Sequence, residues 1–197
     1  PSNTEPEPKP TEESKAEESE EEWKVGAAHG PTHSTDISVT EGTWMSLSVH
    51  GETLLFDLLG DIWSIPLSGG EATQLTSAAA WDVEPRFSPD GQRIAYVSDE
   101  GGNEQIWIMS KEGLGAEVFT EEGEARVTEP VWDPDGPYIV ARRRTVDTRS
   151  IGVTEIWQYH LDGGSGLKLT SSDDDPHAGE QQLTEQHLWF SSRWGRF

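Results

Sequence analysis

The chain has 197 residues, a formal net charge of −23 and no cysteine. This acidity disfavours nucleic acid and anionic membranes as partners, because both repel a negatively charged surface. The lack of cysteine excludes disulfide bonds and thiolate chemistry.

The first 22 residues are predicted to form a disordered acidic tether. They contain nine glutamates, four prolines and two lysines but no large apolar residue, so they cannot bury enough surface to offset the entropy of ordering. They also lack the apolar stretch of a signal peptide or a membrane span. Such a segment is typical of the linker after the anchoring cysteine of an exported lipoprotein. We therefore expect a lipid anchor upstream of residue 1 and a periplasmic or extracellular location; an arbitrary starting point of the sequence is the alternative.

Residues 23–38 contain glycines, a proline and two histidines and are predicted to run along the rim of the domain. A first repeat unit follows at residues 39–76. It holds four strand-sized segments, separated by turns at glycines 51, 60, 69 and 70: residues 43–49, 53–57, 61–65 and 72–76. Short segments of this kind between turn residues predict an antiparallel meander.

The second unit, residues 83–120, contains the clearest turn. Ser88-Pro89-Asp90-Gly91 predicts a tight reversal, because proline pre-sets the backbone for a type I turn and glycine takes the left-handed conformation after it. Residues 93–98 then alternate at period two, which is typical of a strand. A further turn at residues 99–103 leads to a third strand at 105–109.

This unit recurs along the chain. The Pro-x-aromatic-x-Pro-Asp-Gly pattern of residues 85–91 returns at 130–136, an offset of 45 residues. An isoleucine-tryptophan pair and a closing threonine recur in the same order, at Ile62-Trp63, Ile106-Trp107 and Ile156-Trp157 and at Thr76, Thr120 and Thr170. A period of about 40–50 residues with four strands per unit predicts an all-β fold, a β-propeller of four-stranded antiparallel blades. The recurring tryptophans are predicted to pack between adjacent sheets.

The propeller is predicted to be incomplete. The third unit spans residues 128–170, and a partial fourth spans residues 178–197, so residues 39–197 hold about three and a half blades. Closed propellers usually need about four to eight blades. We therefore expect this chain to be part of a longer polypeptide.

The repeats resemble the Pro-Asp-Gly propeller repeats of the TolB family. They are most similar to the N-terminal propeller of amidohydrolase-related proteins, over four stretches that lie within residues 39–193: 39–45, 56–62, 80–91 and 149–157. This resemblance implies a non-catalytic module for docking or substrate gating in an exported protein, with a metal-dependent hydrolase domain downstream. Two alternatives stay open: a TolB-like periplasmic scaffold for a protein partner, and the propeller of a serine peptidase.

No catalytic residue, metal site or cofactor is predicted within the chain. An amidohydrolase metal centre needs a His-x-His pair and further ligands that converge on the ion, and the six histidines include no such pair. The Gly-x-Ser-x-Gly motif of a serine hydrolase is also absent from the sequence. Any hydrolysis would therefore depend on residues outside this chain.

Binding is predicted on one face of the propeller. In an up-and-down meander, the connection into each blade lies on the same side as the link between its second and third strands. Trp81 and Asp82 therefore share a face with residues 142–154, whose arginines suit carboxylate ligands. The candidate binding residues are Trp44, Trp81, Asp82, Arg142, Arg143 and Arg149. The alternative is that the arginines only balance neighbouring carboxylates.

Overall fold

A computed structural model describes residues 44–146 and 152–170, together with residues 25, 30, 31, 33, 38 and 42. The predicted acidic tether at residues 1–22, the predicted fourth unit at residues 178–197 and Arg149 lie outside these residues. The regular elements of the described part are all strands. It contains no helix long and apolar enough to cross a membrane.

Three four-stranded antiparallel sheets form, each a meander of consecutive strands. Sheet 1 consists of β1 (Leu47–His50), β2 (Thr53–Leu58), β3 (Asp61–Pro66) and β4 (Thr73–Gln74). Sheet 2 consists of β5 (Val83–Phe87), β6 (Arg93–Ser98), β7 (Gln105–Ser110) and β8 (Glu117–Val118). Sheet 3 consists of β9 (Arg126–Trp132), β10 (Tyr138–Val146), β11 (Gly152–His160) and β12 (Leu167–Lys168). The predicted all-β propeller of antiparallel blades is confirmed, and the described sheets do not close into a ring.

Two details of the strand assignment differ from the sequence-based prediction. The first strand of sheet 1 begins at Leu47 rather than at Thr43. In sheet 3 the second and third strands pair as far as Val146 and Gly152, so the three arginines at 142–144 belong to a strand and not to a connection. The pairing of β10 with β11 is longer than the pairing of the corresponding strands β6 and β7 in sheet 2. The arginine side chains consequently alternate between the two faces of β10.

Two apolar cores lie between consecutive sheets. The core between sheets 1 and 2 contains Leu55, Ile62, Ile94, Tyr96 and Met109, with Trp107 packed against it. The core between sheets 2 and 3 contains Ala95, Ile106, Val127, Trp132, Ile139, Ala141 and Tyr159, with Trp157 packed against it. The predicted packing of Trp107 and Trp157 between sheets is confirmed. Trp63 follows Ile62 of the first core and, by strand alternation, lies on the other face of sheet 1.

The recurring threonines have a common structural role. In each sheet the threonine Oγ1 accepts a hydrogen bond from the backbone N–H of the isoleucine in the recurring isoleucine-tryptophan pair. The nitrogen–oxygen distance is 2.9 Å for Ile62–Thr76, 2.9 Å for Ile106–Thr120 and 3.0 Å for Ile156–Thr170. This bond connects the residues after the fourth strand of each sheet to the third strand, beyond the short pairing between those two strands.

The predicted Pro-Asp-Gly turn is present in sheet 2. Gly91 has a φ of 67°, and its N–H donates to the carbonyl of Ser88 at 2.8 Å. The hydroxyl of Ser88 and the N–H of Gln92 both donate to Asp90, and these bonds lower the pKa of its carboxyl. Gly136, the corresponding residue of sheet 3, does not have a left-handed backbone. The two turns therefore differ, although the repeat predicts that they are alike.

Candidate binding face

The connection into sheet 2 and the links between second and third strands lie on one side of the sheets, as the topology predicts. The N–H of Asp82 donates to the carbonyl of Gly60, in the turn after β2, at 2.8 Å. The N–H of Trp81 donates to Asp99 Oδ1, in the turn after β6, also at 2.8 Å. We call this side, defined by residues 59–60, 81–82, 99–104 and 142–146, the Trp81 face.

Trp81 is held at the junction of sheets 1 and 2. A Cβ built on Gly60 would come within 2.7 Å of Trp81 Cε3, so the indole lies directly against this glycine. The two backbone hydrogen bonds of Trp81 and Asp82 fix the segment on both sides. The side chain nevertheless remains 58% exposed, which leaves much of it accessible on the Trp81 face.

Asp82 is only 5% exposed, in contrast to Trp81. Burial raises the pKa of its carboxyl, and side-chain hydrogen bonds with Ser98 and Thr76 oppose this shift. The contact with Ser98 links the connection between the first two sheets to β6, and the contact with Thr76 lies within that connection. The carboxyl is therefore placed to support the fold beneath the face, where a ligand in solvent has little access to it.

A cleft of about 230 Å³ lies where β5 and β9 begin and β6 and β10 end. We call it the arginine cleft. Sheet 2 and the loop after β6 contribute Val83, Glu84, Val97 and Glu104, and sheet 3 contributes Arg126, Thr128, Arg142 and Arg144. Three guanidinium groups and two carboxylates therefore line this cleft. Among the candidate residues that the structure describes, Arg142 alone lines this cleft.

The three cleft arginines differ in their partners. Arg126 pairs with Glu104 at 3.3 Å, and Arg142 pairs with Glu129 at 2.8 Å. Arg142 Nε also donates to Thr128 Oγ1 at 3.3 Å. Arg144 is exposed, and its Nε lies so close to Gly152 that a Cβ there would come within 2.5 Å. No described residue forms a hydrogen bond or an ion pair with it.

Arg143 points into the packing between sheets 2 and 3. Its Nε lies 3.0 Å from Glu122 Oε2, its Nη1 lies 3.8 Å from Glu155, and its guanidinium lies over the Trp157 ring at 4.7 Å. Lys168 also contacts Glu155 at 2.5 Å. Arg143 therefore balances Glu122 of the connection between sheets 2 and 3 and Glu155 of sheet 3, which is the role that the alternative interpretation of the arginines describes.

Glu84 lines the cleft and contacts the bulge in β9, the first strand of sheet 3. Its Oε2 accepts a hydrogen bond from the backbone N–H of Glu129 at 2.7 Å. Burial raises the pKa of the Glu84 carboxyl, and the bond from Glu129 opposes the shift. Burial likewise lowers the pKa of the nearby Arg86 guanidinium, against the opposing effect of Glu84 and Asp57.

The remaining predicted residues lie apart from the cleft. Trp44 is completely exposed, with a φ of 59°, and neither it nor Trp81 lines the cleft. Sequence reasoning did not select Glu84, Arg126 or Thr128 as site residues, and it included Arg144 in the arginine cluster of residues 142–154 without making it a candidate. The recurrence of Glu-Pro at residues 84–85 and 129–130 could have indicated the bulges that bring the beginning of β9 next to the end of β10.

No described residues form a group of three or more histidine, aspartate or glutamate side chains that could hold a metal ion. The described residues of this face present charged groups, hydroxyls and the exposed indole of Trp81.

Comparison with known proteins agrees with this architecture. Residues 44–185 match the tricorn protease N-terminal beta propeller domain. The tricorn protease homolog 1 of Streptomyces coelicolor is 33% identical over 120 residues, which cover 61% of this chain and 11% of that protein. The TolB homolog of Chlorobium luteolum is 36% identical over 73 residues, which cover 37% of this chain and 16% of that protein.

Solved TolB structures share the fold. TolB from Acinetobacter baumannii has a TM-score of 0.58 and 23% identity over 68% of this chain and 34% of its own. Putative TolB from Agrobacterium tumefaciens has a TM-score of 0.57 and 22% identity over 66% of this chain and 50% of its own. The predicted TolB-like resemblance is confirmed, whereas the link to amidohydrolases stays a prediction. The chain belongs to the tricorn protease N-terminal β-propeller family.

Proposed function

We propose that this propeller is a non-catalytic docking module that presents substrates to a hydrolase, and that the arginine cleft receives a carboxylate of a peptide. The observation that carries the proposal is Arg144, an exposed guanidinium in a cleft whose other arginines already pair with Glu104 and Glu129. An arginine fork matches the geometry of a carboxylate and can bind it through two hydrogen bonds. The Thr128 hydroxyl offers a further polar contact in the same cleft.

The proposed hydrolase is a peptidase. The propeller type of this chain is found with peptidases, and the curated relatives include a tricorn protease homolog and an uncharacterized peptidase of Bacillus subtilis. The chain spans only 11–16% of the length of these relatives and of the TolB homolog. A downstream amidohydrolase domain, which the resemblance in the sequence implies, is the competing proposal. A Gly-x-Ser-x-Gly motif or a His-x-His motif in the full-length protein would distinguish the two.

Peptide binding can be measured by fluorescence anisotropy with a labelled peptide that ends in two glutamates and a free carboxylate. We expect Arg144→Ala to weaken binding about tenfold, the equivalent of about 1.4 kcal/mol for a lost charge-assisted contact. Lys111→Ala is the matched control, because Lys111 is a cation in the turn after β7, on the opposite side of the sheets. Equal binding by the parent and Arg144→Ala would contradict the proposed role of the cleft.

We also propose that the full-length protein is exported. The similarity to TolB proteins and the acidic segment at residues 1–22 support this location. The test is fractionation of cells that express the full-length protein, with periplasmic and cytoplasmic marker enzymes followed in parallel. Recovery of the protein only with the cytoplasmic marker would contradict export.

A further inference from the structure

The turn between β2 and β3 carries an unexpected residue. Leu59 and Gly60 have φ values of 56° and 86°, so both central residues of this two-residue hairpin turn are left-handed. Such turns favour asparagine, aspartate or glycine at the first of these positions, since other side chains are strained there. Leu59 is also 62% exposed. Neither turn geometry nor burial accounts for a leucine at this position.

A rigid aromatic surface lies beside this leucine. The Trp81 indole rests on Gly60, the residue that follows Leu59, and its backbone is fixed by the hydrogen bond to Asp99. Leu59 and Trp81 are both more than half exposed, and Leu59 immediately precedes the glycine against which the indole packs. Large side chains that are rigid before binding lose little entropy on contact and are typical anchors of protein recognition sites.

Carboxylates lie near the Trp81 segment. Asp99 accepts a hydrogen bond from the Trp81 N–H at 2.8 Å, and Glu100 follows Asp99 in the sequence. Asp61 follows the turn, but it accepts a hydrogen bond from Gln74 Nε2 and its Oδ1 is buried. None of these three carboxylates forms an ion pair with a described residue. The pKa of the buried Asp82 carboxyl is raised mainly by burial and further by the charges of Asp61 and Glu100, which places negative charge around the base of the Trp81 segment. A cationic ligand would relieve this repulsion.

We propose that Leu59 and Trp81 form a binding site for a peptide segment that carries an aliphatic side chain beside a lysine or arginine. The aliphatic group packs on Leu59 and the indole. The cation lies over the indole and near Asp99 and Glu100, since ammonium and guanidinium groups are attracted both to aromatic faces and to carboxylates. This site is distinct from the arginine cleft and goes beyond the carboxylate binding proposed there.

The test uses a labelled, terminally blocked peptide in which leucine and lysine alternate, and measures its anisotropy with the full chain. Leu59→Asn removes the apolar contact but suits a left-handed turn position. We expect this variant to bind about fivefold more weakly while its melting temperature stays the same or rises. Glu100→Gln should also weaken binding, and the loss should shrink at high salt. The matched control is Leu114→Asn, a 68% exposed leucine after β7 on the other side of the sheets, which should bind as the parent does.

Three results would overturn the proposal. The first is equal affinity of the parent and Leu59→Asn for the leucine-lysine peptide, and the second is equal affinity of the parent for that peptide and for one with glutamate in place of lysine. The third concerns the chain's own residues, because the Val25 N–H donates to the Glu100 carbonyl at 3.1 Å, and Trp23 and Lys24 precede it in the sequence. If the peptide binds only after Trp23 and Lys24 are both changed to serine, then the segment that contains these two residues occupies the site in the parent. Arg144→Ala should leave this binding unchanged, so failure here is distinguishable from failure of the arginine cleft.

Discussion

Glu84 Oε2 accepts a hydrogen bond from the backbone N–H of Glu129, although 45 residues separate the two glutamates. Both have a φ of 57° and both precede a proline at the bulge in the first strand of their sheet. Since proline has no N–H, the glutamate N–H is the backbone hydrogen-bond donor of the Glu-Pro pair at each bulge. The Glu84 N–H in turn donates to Asp57 Oδ2 at 2.8 Å. The two bulges therefore link sheets 1, 2 and 3 in series through polar contacts.

The raised pKa of Glu84 predicts a specific pH dependence of stability. Burial places the folded-state pKa above its ordinary value of 4.5, so the folded state favours the protonated acid. The contribution of the protonated Glu84 carboxyl to the stability of the fold is complete below about pH 4.5 and is lost as the pH rises through the folded-state pKa. Glu84→Gln does not titrate and keeps an oxygen that can accept from Glu129. We expect its melting temperature, relative to the parent, to be higher at pH 7 than at pH 4; a pH-independent difference would contradict this.

The two Pro-Asp-Gly turns are predicted to respond differently to the same substitution. Gly91→Ala places a Cβ on a left-handed residue and against the His50 ring in sheet 1, and should lower the free energy of unfolding by about 1 kcal/mol or more. Gly136→Ala lacks the left-handed strain, and its Cβ meets only the movable side chains of Asp133 and Tyr138. Denaturant midpoints of both variants provide the measurement. An equal loss at the two positions would show that the repeated sequence, rather than the backbone difference, decides the cost.

Thr120 tests the hydrogen bond that recurs in each sheet. Thr120→Val keeps the shape of the side chain but leaves the buried N–H of Ile106 and the Oε1 of Gln105 without this partner. We expect a loss of about 1–3 kcal/mol in unfolding free energy, the typical cost of an unsatisfied buried polar group. Thr120→Ser retains the hydroxyl and is the control. Chemical denaturation of the parent and the two variants provides the measurement. Equal free energies of unfolding for Thr120→Val and Thr120→Ser would contradict the role assigned to this hydrogen bond.

Arg143 and Arg144 are adjacent in the sequence but are predicted to serve different purposes. Arg143→Ala leaves Glu122 and Glu155, both mostly buried, without its charge, and should destabilise the fold by on the order of 2 kcal/mol. Arg144→Ala should change stability by less than about 0.5 kcal/mol, as surface substitutions usually do. Thermal melts at pH 7 compare the two. Stability losses of equal size would mean that Arg144 also has a structural partner.

Much of the fold follows from the sequence because its determinants are local or repeat in order. Proline and glycine specify the turn at residues 88–91 through their own backbone preferences. The recurring threonines and tryptophans mark equivalent positions in units that must stack to bury their faces. The sequence by itself therefore determined the antiparallel blades, their order and the side on which Trp81 lies.

Only the tertiary structure decided which side chains meet on that side. The extended pairing of β10 with β11 makes residues 142–144 alternate, so Arg142 and Arg144 reach the cleft while Arg143 pairs between sheets. The exposure of Leu59 and the burial of Asp82 depend on how Trp81 rests on Gly60 across two sheets. Contacts of this kind join residues tens of positions apart, and neither local propensity nor the repeat period contains the distances between them. The sequence could therefore indicate the binding face, whereas the arrangement of charges and apolar groups on it arises from packing between blades.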